Sequence, residues 1–159
     1  MAITTNAICN SFKKQLLEGT HNFSNPGGNS FKLALYGSPA TLGKSTTSFT
    51  TGGQVTSPSG GYSSGGNEVS SPSGYSAGGK ALVNTGTSVA SDTAITSFAN
   101  LSFTNVTITA RGALIYNDTA AGDPAVAVLD FGGDKTATAG TFTIQFPAFT
   151  TSAAILRIA

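Results

Sequence analysis

The sequence predicts a mainly β protein, a single antiparallel β-sandwich over residues 1–159 with one short N-terminal helix. Between residues 106 and 146, four short segments rich in β-branched and aromatic residues alternate with Gly, Asp and Asn, as strands alternate with turns. The last segment places Phe142, Ile144 and Phe146 on one face and polar residues on the other. We therefore expect one buried and one solvated face. The number of strands fits a jelly roll or an immunoglobulin-like sandwich.

The N-terminal helix is predicted over residues 5–18. Thr5 or Asn6 can cap it, and Gly19 ends it. Its apolar positions recur at every fourth residue, which places them on one helical stripe: Ile8, Phe12 and Leu16. Such a helix either packs on its own sheet or forms a separable arm that docks on a neighbouring subunit. The sequence leaves both interpretations open.

Short apolar runs predict the strands in order along the chain: 31–36, 80–84, 94–98 with 101–103, 106–110, 113–116, 125–130, 141–146 and 153–159. Arg111 and Gly112 are expected to form a bulge between two strands. Residues 117–124 and 132–140 are interpreted as hairpin loops, and residues 130–132 as a turn. We expect the final apolar segment to be a buried strand that closes the sheet.

Residues 52–79 form a Gly/Ser-rich segment that is internally duplicated. Residues 55–66 match residues 69–79 almost one for one. Each copy offers a core only one Val and one Tyr, so we expect a surface excursion anchored at Tyr62 and Tyr75. Because ordering a Gly-rich chain costs much conformational entropy, it is either a loose insertion or an arm that becomes ordered against a neighbour.

The composition argues against several classes of function. Charged residues make up 9% of the chain, against about 25% in an average soluble domain, whereas 62 of the 159 residues are Gly, Ser or Thr. A net charge of +1 gives no electrostatic basis for a nucleic-acid partner. No apolar stretch approaches the length of a membrane span, and no signal-peptide pattern is present. A chain with so few charges is poorly protected from association as a free monomer, which favours a protein that functions within an assembly.

The chain offers little material for catalysis or for cofactor binding. With one His, one Cys and seven carboxylates in no recognisable motif, we expect no enzyme activity and no cofactor. His21 has no ligand-type neighbours in the sequence, so no metal site is expected there, and Cys9 is interpreted as a buried structural thiol. Residues 43–45 imitate a P-loop, but its first glycine would fall at Ser38 and Pro39 removes a backbone amide.

Four stretches resemble a family of small structural proteins of tailed-bacteriophage virions: residues 31–36, 75–82, 110–117, and 125–135 continuing through 142–147. The resemblance covers most of the chain from residue 31 onward, and the N-terminal helix is similar in kind. It implies a virion component that is made in the host bacterial cytoplasm. Its motifs are fold signatures, so they do not fix a place in the particle. Residues 52–66 look like an extra insertion relative to the family pattern.

The resemblance leads to two main expectations. The first is a capsid decoration, or cement, protein, which as a homotrimer on the capsid surface would bridge subunits of the major capsid protein through many modest contacts. The second is a protein associated with the tail, baseplate or fibre. A non-phage extracellular adhesin comes third, because no signal-peptide pattern supports it. The residues expected to make assembly contacts are Ile8, Phe12, Leu16, Tyr62 and Tyr75.

Overall fold

The computed structural model of the chain describes residues 3–50, 54–56 and 67–159. As predicted, the fold is mainly β, with antiparallel sheets and one helix in an open, sandwich-like arrangement. The elements in chain order are β1 (Ala7–Ile8), α1 (Asn10–Leu17), β2 (Phe31–Tyr36), β3 (Ser48–Thr50), β4 (Gln54–Thr56), β5 (Lys80–Ala81), β6 (Asn84–Ala90), β7 (Thr93–Phe98), β8 (Leu101–Asn117), β9 (Ala125–Ile144) and β10 (Leu156–Ile158).

Two sheets share one hydrophobic core. The larger sheet has five strands in the order β1–β9–β8–β2–β5, and the smaller has three in the order β10–β7–β6. Strands β3 and β4 form a separate two-stranded ribbon. Aromatic rings join the two sheets, since the ring centroid of Phe98 in β7 lies 5.8 Å from that of Phe31 in β2 and 5.6 Å from that of Phe146.

The β8–β9 hairpin is longer than the sequence predicts. The loop over residues 117–124 is confirmed as the connection between the two strands, and the pairing register shifts between Ala110 and Gly112, where a bulge was expected. The loop predicted over residues 132–140 is wrong, because this stretch lies inside β9 and residues 135–137 pair with residues 108–110. The turn expected over residues 130–132 is present as a local feature of β9, since the backbone N–H of Gly132 donates to Oδ1 of Asp130 at 2.9 Å and Gly132 has a φ of 72°. Residues 131–134 of β9 stand opposite Arg111 alone, between the pairs Gly112–Asp130 and Ala110–Lys135, so the two glycines lie in a bulge of the strand.

The predicted alternation over residues 141–146 is confirmed. Phe142, Ile144 and Phe146 are buried, and the polar residues between them are exposed. Strand β2 also has the predicted bounds, but five of its six residues are buried, so both of its faces are covered. The alternating pattern thus identified one-sided burial, and the apolar run of β2 corresponds to burial on two sides.

The N-terminal helix begins later than predicted. Helix α1 starts at Asn10, after Cys9 in an extended conformation, so the predicted start at residue 5 is wrong. Ile8 belongs to strand β1, where it pairs with Ala127 of β9. Ile8 therefore lies on a strand and Phe12 on a helix, so their spacing does not mark one helical stripe. Cys9 is fully buried, as expected for a structural thiol, and burial raises its pKa to about 12.

The C-terminal strand is shorter and more exposed than predicted. Strand β10 occupies an edge of the three-stranded sheet. Leu156 is buried, but Ile158 is 61% exposed. The expectation of a fully buried closing strand is therefore wrong, and an apolar side chain is left at the surface.

Candidate functional site

An open groove separates helix α1 from the three-stranded sheet. Its volume is ≈ 640 Å³, within the range of roughly 300–1,000 Å³ that is typical of binding clefts. Phe12 and Leu16 line it from the helix, and Leu156 and Ile158 line it from β10. Most lining side chains are apolar. Within the described residues, the charged ones that line it are Lys13 and Arg157, and no carboxylate does so.

An apolar row continues the groove across the three-stranded sheet. Val89 pairs with Ala94, and Ala94 pairs in turn with Ile158. Directly paired residues of antiparallel strands project from the same face, so these three side chains form one row, called here the exposed rung. All three are exposed, Val89 by 69% and Ile158 by 61%. Because Ala94 and Ile158 also line the groove, rung and groove form one continuous surface.

The polar groups on the groove floor are largely satisfied by the chain itself. The buried hydroxyl of Thr96 donates a hydrogen bond to the carbonyl oxygen of Gly86 at 2.8 Å. The guanidinium of Arg157 donates from Nη1 to the carbonyl oxygens of Ser152 at 3.0 Å and Thr151 at 3.3 Å. The groove therefore offers a partner apolar contact and positive charge, and the chain itself satisfies the side chains of Thr96 and Arg157.

His21 lies at the groove with its ring held on both sides. The side-chain amide of Asn117 donates to Nδ1 at 3.1 Å, and Nε2 donates to Oε1 of Gln15 at 3.0 Å. The amide orientation is fixed because Asn117 Oδ1 accepts from the backbone N–H groups of Thr119 and Ala120. This arrangement suits the neutral ring, and burial lowers the pKa of His21 to about 4. Both ring nitrogens are thus occupied by the protein.

Among the described residues, no three His, Cys, Asp or Glu side chains come together in an arrangement that could hold a metal ion. Among the same residues, no helix has the length and apolarity needed to cross a bilayer.

The structure brings the three apolar residues of the N-terminal segment together at the groove, although not on one helical stripe. Ile8 reaches it from β1, and Phe12 and Leu16 reach it from α1. Phe12 is only 3% exposed, and its ring centroid lies 4.8 Å from that of His21. Phe12 therefore belongs to the core of its own chain, which corrects the interpretation of α1 as a separable arm. Ile8 and Leu16 are half-buried.

The structure describes only the second of the two tyrosines in the duplicated segment. Tyr62 lies outside the described residues. Tyr75 is buried, where its hydroxyl donates to Oε1 of Glu68 at 2.6 Å and accepts from the backbone N–H of Leu35 at 2.9 Å. The same Glu68 oxygen accepts from the backbone N–H of Gly78 at 2.7 Å, and burial raises the pKa of this carboxyl. Tyr75 is thus an internal anchor to β2, not a side chain presented to a neighbour.

The sequence did not single out the exposed rung. Val89 and Ala94 stand among Ser, Thr and Gly residues, and β6 was not predicted as a strand beyond its first residue. The available signal was the alternation of Thr85, Thr87 and Val89, which have the β-branched side chains favoured in strands.

Comparisons of the chain with known protein families, with curated proteins and with solved structures found no match.

Proposed function

We propose that the protein is a structural component of a tailed-bacteriophage virion, a decoration protein that bridges subunits of the major capsid protein on the surface of the head. The observation that carries this proposal is the apolar surface of the groove and the exposed rung, which the described part of the chain leaves exposed. A contiguous apolar surface with a polar rim is typical of a protein interaction site. The sequence resemblance to virion proteins supplies the setting.

The rest of the surface supports a role in a repeated assembly. On the exposed face of the β8–β9 hairpin, the hydroxyl groups of Ser102 and Thr143 lie 2.9 Å apart, and those of Thr109 and Thr136 lie 2.8 Å apart. Such a face offers hydrogen bonds with little charge. Modest contacts of this kind become strong when a lattice repeats them, because the second contact forms at a high effective concentration.

The copy number in purified virions tests the proposal directly. Quantitative mass spectrometry against the major capsid protein should give about one copy per capsid subunit, or another fixed ratio set by the lattice symmetry. A ratio of a few per cent or less would place the protein in the tail instead. Absence from particles would overturn the virion assignment altogether.

A pair of matched variants tests whether the apolar surface is responsible. We expect Ile158→Asp to reduce incorporation into particles severely, because a charge replaces an apolar contact in the middle of the surface. Val83→Asp is the control, since Val83 is 66% exposed but does not line the groove. Both purified variants should keep the circular dichroism spectrum of the parent. Equal incorporation of the two variants would argue against this surface as the site of assembly.

A further inference from the structure

The three-stranded sheet ends at β6, and its own chain covers only the first half of that edge. The side-chain amide of Asn25 donates to the carbonyl oxygen of Asn84 at 2.6 Å, and a Cβ atom at Gly86 would lie 3.6 Å from Cβ of Asn25. Beyond Gly86, residues 87–90 are all exposed. Among the described residues, none pairs with this stretch from the side away from β7. We call residues 87–90 the open edge.

The pairing of β6 with β7 determines which backbone groups of the open edge face outward. A two-residue turn joins the strands, so the flanking pair Ala90–Thr93 is hydrogen-bonded, and along an antiparallel ladder such pairs alternate with pairs that are not. The backbone of Ser88 therefore bonds to β7, whereas the N–H and C=O groups of Thr87 and Val89 point away from it. The open edge thus presents backbone donors and acceptors that the described part of the chain does not use.

The open edge lacks the features that keep other sheet edges from pairing. Natural edge strands are protected by short length, by Pro or by charged side chains. Strands β1 and β5, which border the larger sheet, have two residues each, and β10 carries Arg157. Residues 87–90 are Thr, Ser, Val and Ala, without charge or proline. This edge is therefore suited to accept another strand.

The open edge fits the same stretch of a second copy in one antiparallel register. With a twofold axis at Ser88, Thr87 of each copy stands opposite Val89 of the other, and their outward groups meet in two hydrogen-bonded pairs. An axis at any other position of the open edge would satisfy fewer of these groups. Cross-strand pairs of β-branched side chains stabilise a sheet. Asp92 comes opposite Asn84, so no like charges meet.

We propose that two copies of this chain pair edge to edge through residues 87–90, which joins their three-stranded sheets into one. Opposite residues of paired antiparallel strands project from the same face, so the exposed rungs of both copies lie on the same side and stay accessible. The inference rests on the proposed function and deepens it, because a dimer with two docking surfaces on one side can hold two neighbouring capsid subunits. A twofold pairing closes with two copies, in place of the expected homotrimer.

A disulfide at the twofold axis tests the pairing. Ser88 would face its own counterpart in a non-hydrogen-bonded pair, whose Cα atoms lie about 4.5 Å apart, a separation that a disulfide spans. Under mild oxidation, Ser88→Cys should form a covalent dimer roughly tenfold faster than Val83→Cys, whose native side chain is 66% exposed but outside the open edge. Non-reducing electrophoresis measures both rates, and the native Cys9 is buried. Equal rates, or no dimer of Ser88→Cys, would overturn the inference.

A charge at the same position tests the pairing without a covalent bond. Four residues from each copy make a small interface, so we expect a weak dimer, detectable by sedimentation equilibrium at about 1 mM protein. Ser88→Lys places two ammonium groups opposite each other and should keep the protein monomeric, whereas Ser88→Thr should dimerise like the parent. Both variants should keep the circular dichroism spectrum of the parent. A trimer, or a parent that stays monomeric at this concentration, would contradict the proposed pairing.

Incorporation into virions separates this inference from the proposed function. Ser88 projects from the face opposite to the exposed rung, so Ser88→Lys leaves the docking surface intact. It should still lower incorporation several-fold relative to Ser88→Thr, because a monomer holds only one capsid subunit. A monomeric parent that is abundant in virions would overturn the pairing and leave the proposed function standing. A dimer that is absent from virions would do the reverse.

Discussion

The two halves of the β8–β9 hairpin share one backbone pairing but lie in different environments. Near the connecting loop, residues 112–117 of β8 are all buried, whereas over residues 101–110 buried and exposed positions alternate with one irregularity at Thr104 and Asn105. We call these the inner and outer halves. The inner half is covered on both faces, and its sequence is a continuous apolar run. The outer half is covered on one face only. The same strand therefore needs two sequence patterns.

The boundary between the halves falls at Gly112. A Cβ atom at this position would lie 2.4 Å from the carbonyl oxygen of Leu129 and 2.8 Å from Cδ1 of Ile3. Beside it, Arg111 Nη2 and Asp130 Oδ1 form an ion pair at 3.2 Å. The hairpin thus changes from one-sided to two-sided burial at the position where the backbones of β8 and β9 lie too close together to accommodate a side chain.

The largest effect is expected from a side chain at that boundary. Gly112→Val should lower the free energy of unfolding by more than about 4 kcal/mol, because the new atoms collide with backbone that cannot move aside easily. Urea denaturation measures the change. The matched control is Gly133→Val, where a Cβ meets nothing within 4 Å. Similar losses in both variants would show that the close approach at Gly112 is not what limits this site.

Leucine truncation compares the interiors of the two halves. Leu114→Ala in the inner half should cost about 3–5 kcal/mol of unfolding free energy, because its fully buried site cannot collapse around the cavity. Leu101→Ala in the outer half should cost about 2–3 kcal/mol, since its surroundings can relax toward the open face. Denaturant midpoints of both variants provide the test. A larger loss at Leu101 would contradict the distinction.

A pH-dependent loss of stability should originate at the end of the inner half, where Asn117 holds His21. The pKa of this ring is about 4 in the folded chain against an ordinary value of 6.5. The unfolded chain therefore takes up the proton first as the pH falls, and stability is lost between those two values, by up to about 3 kcal/mol.

The variant His21→Gln isolates this contribution. Subtracting its pH profile of unfolding free energy from that of the parent removes the effect of carboxyl groups, including Glu68, whose raised pKa acts in the opposite direction. The difference should rise with pH across the stated window. A flat difference would mean that His21 is protonated in the folded chain without penalty.

The smallest effect is expected on the solvated face of the outer half. Thr109→Val keeps the β-branched shape and removes one hydroxyl from the exposed pair with Thr136. The free energy of unfolding should change by less than about 0.5 kcal/mol, because water can replace the lost partner. A loss above about 1 kcal/mol in thermal or urea unfolding would show that paired hydroxyls stabilise this face.

The strengths and errors of the sequence predictions follow from what local patterns encode. The alternation of Phe142, Ile144 and Phe146 predicted a one-sided strand correctly, because the period of two depends on local sequence alone. Gly132 and Gly133 were assigned to a loop, yet they lie in a bulge of β9, which continues beyond them because residues 135–137 pair with the distant residues 108–110. That pairing is a tertiary effect, so turn preference alone could not reveal it.

The candidate site was even less accessible to prediction. Ile8 and Phe12 were identified as residues of one surface for the wrong reason, since a strand and a helix bring them to the same groove. Val89, Ala94 and Ile158 come from three separate strands, and only the pairing register places them in one row. The spacing of these residues along the sequence does not encode that register. The predicted resemblance to virion proteins names a setting for the protein and no surface.

The bonds made by Glu68 have a consequence for how this gene can change. The second copy of the duplication is preceded by Glu68, whereas the first is preceded by Gln54. A neutral amide oxygen accepts hydrogen bonds more weakly than a carboxylate, so only the second copy carries the charged group that fastens to Tyr75 and Gly78. We therefore expect natural variants to retain Glu68 and Tyr75, whereas Gln54 is under no such constraint from these bonds.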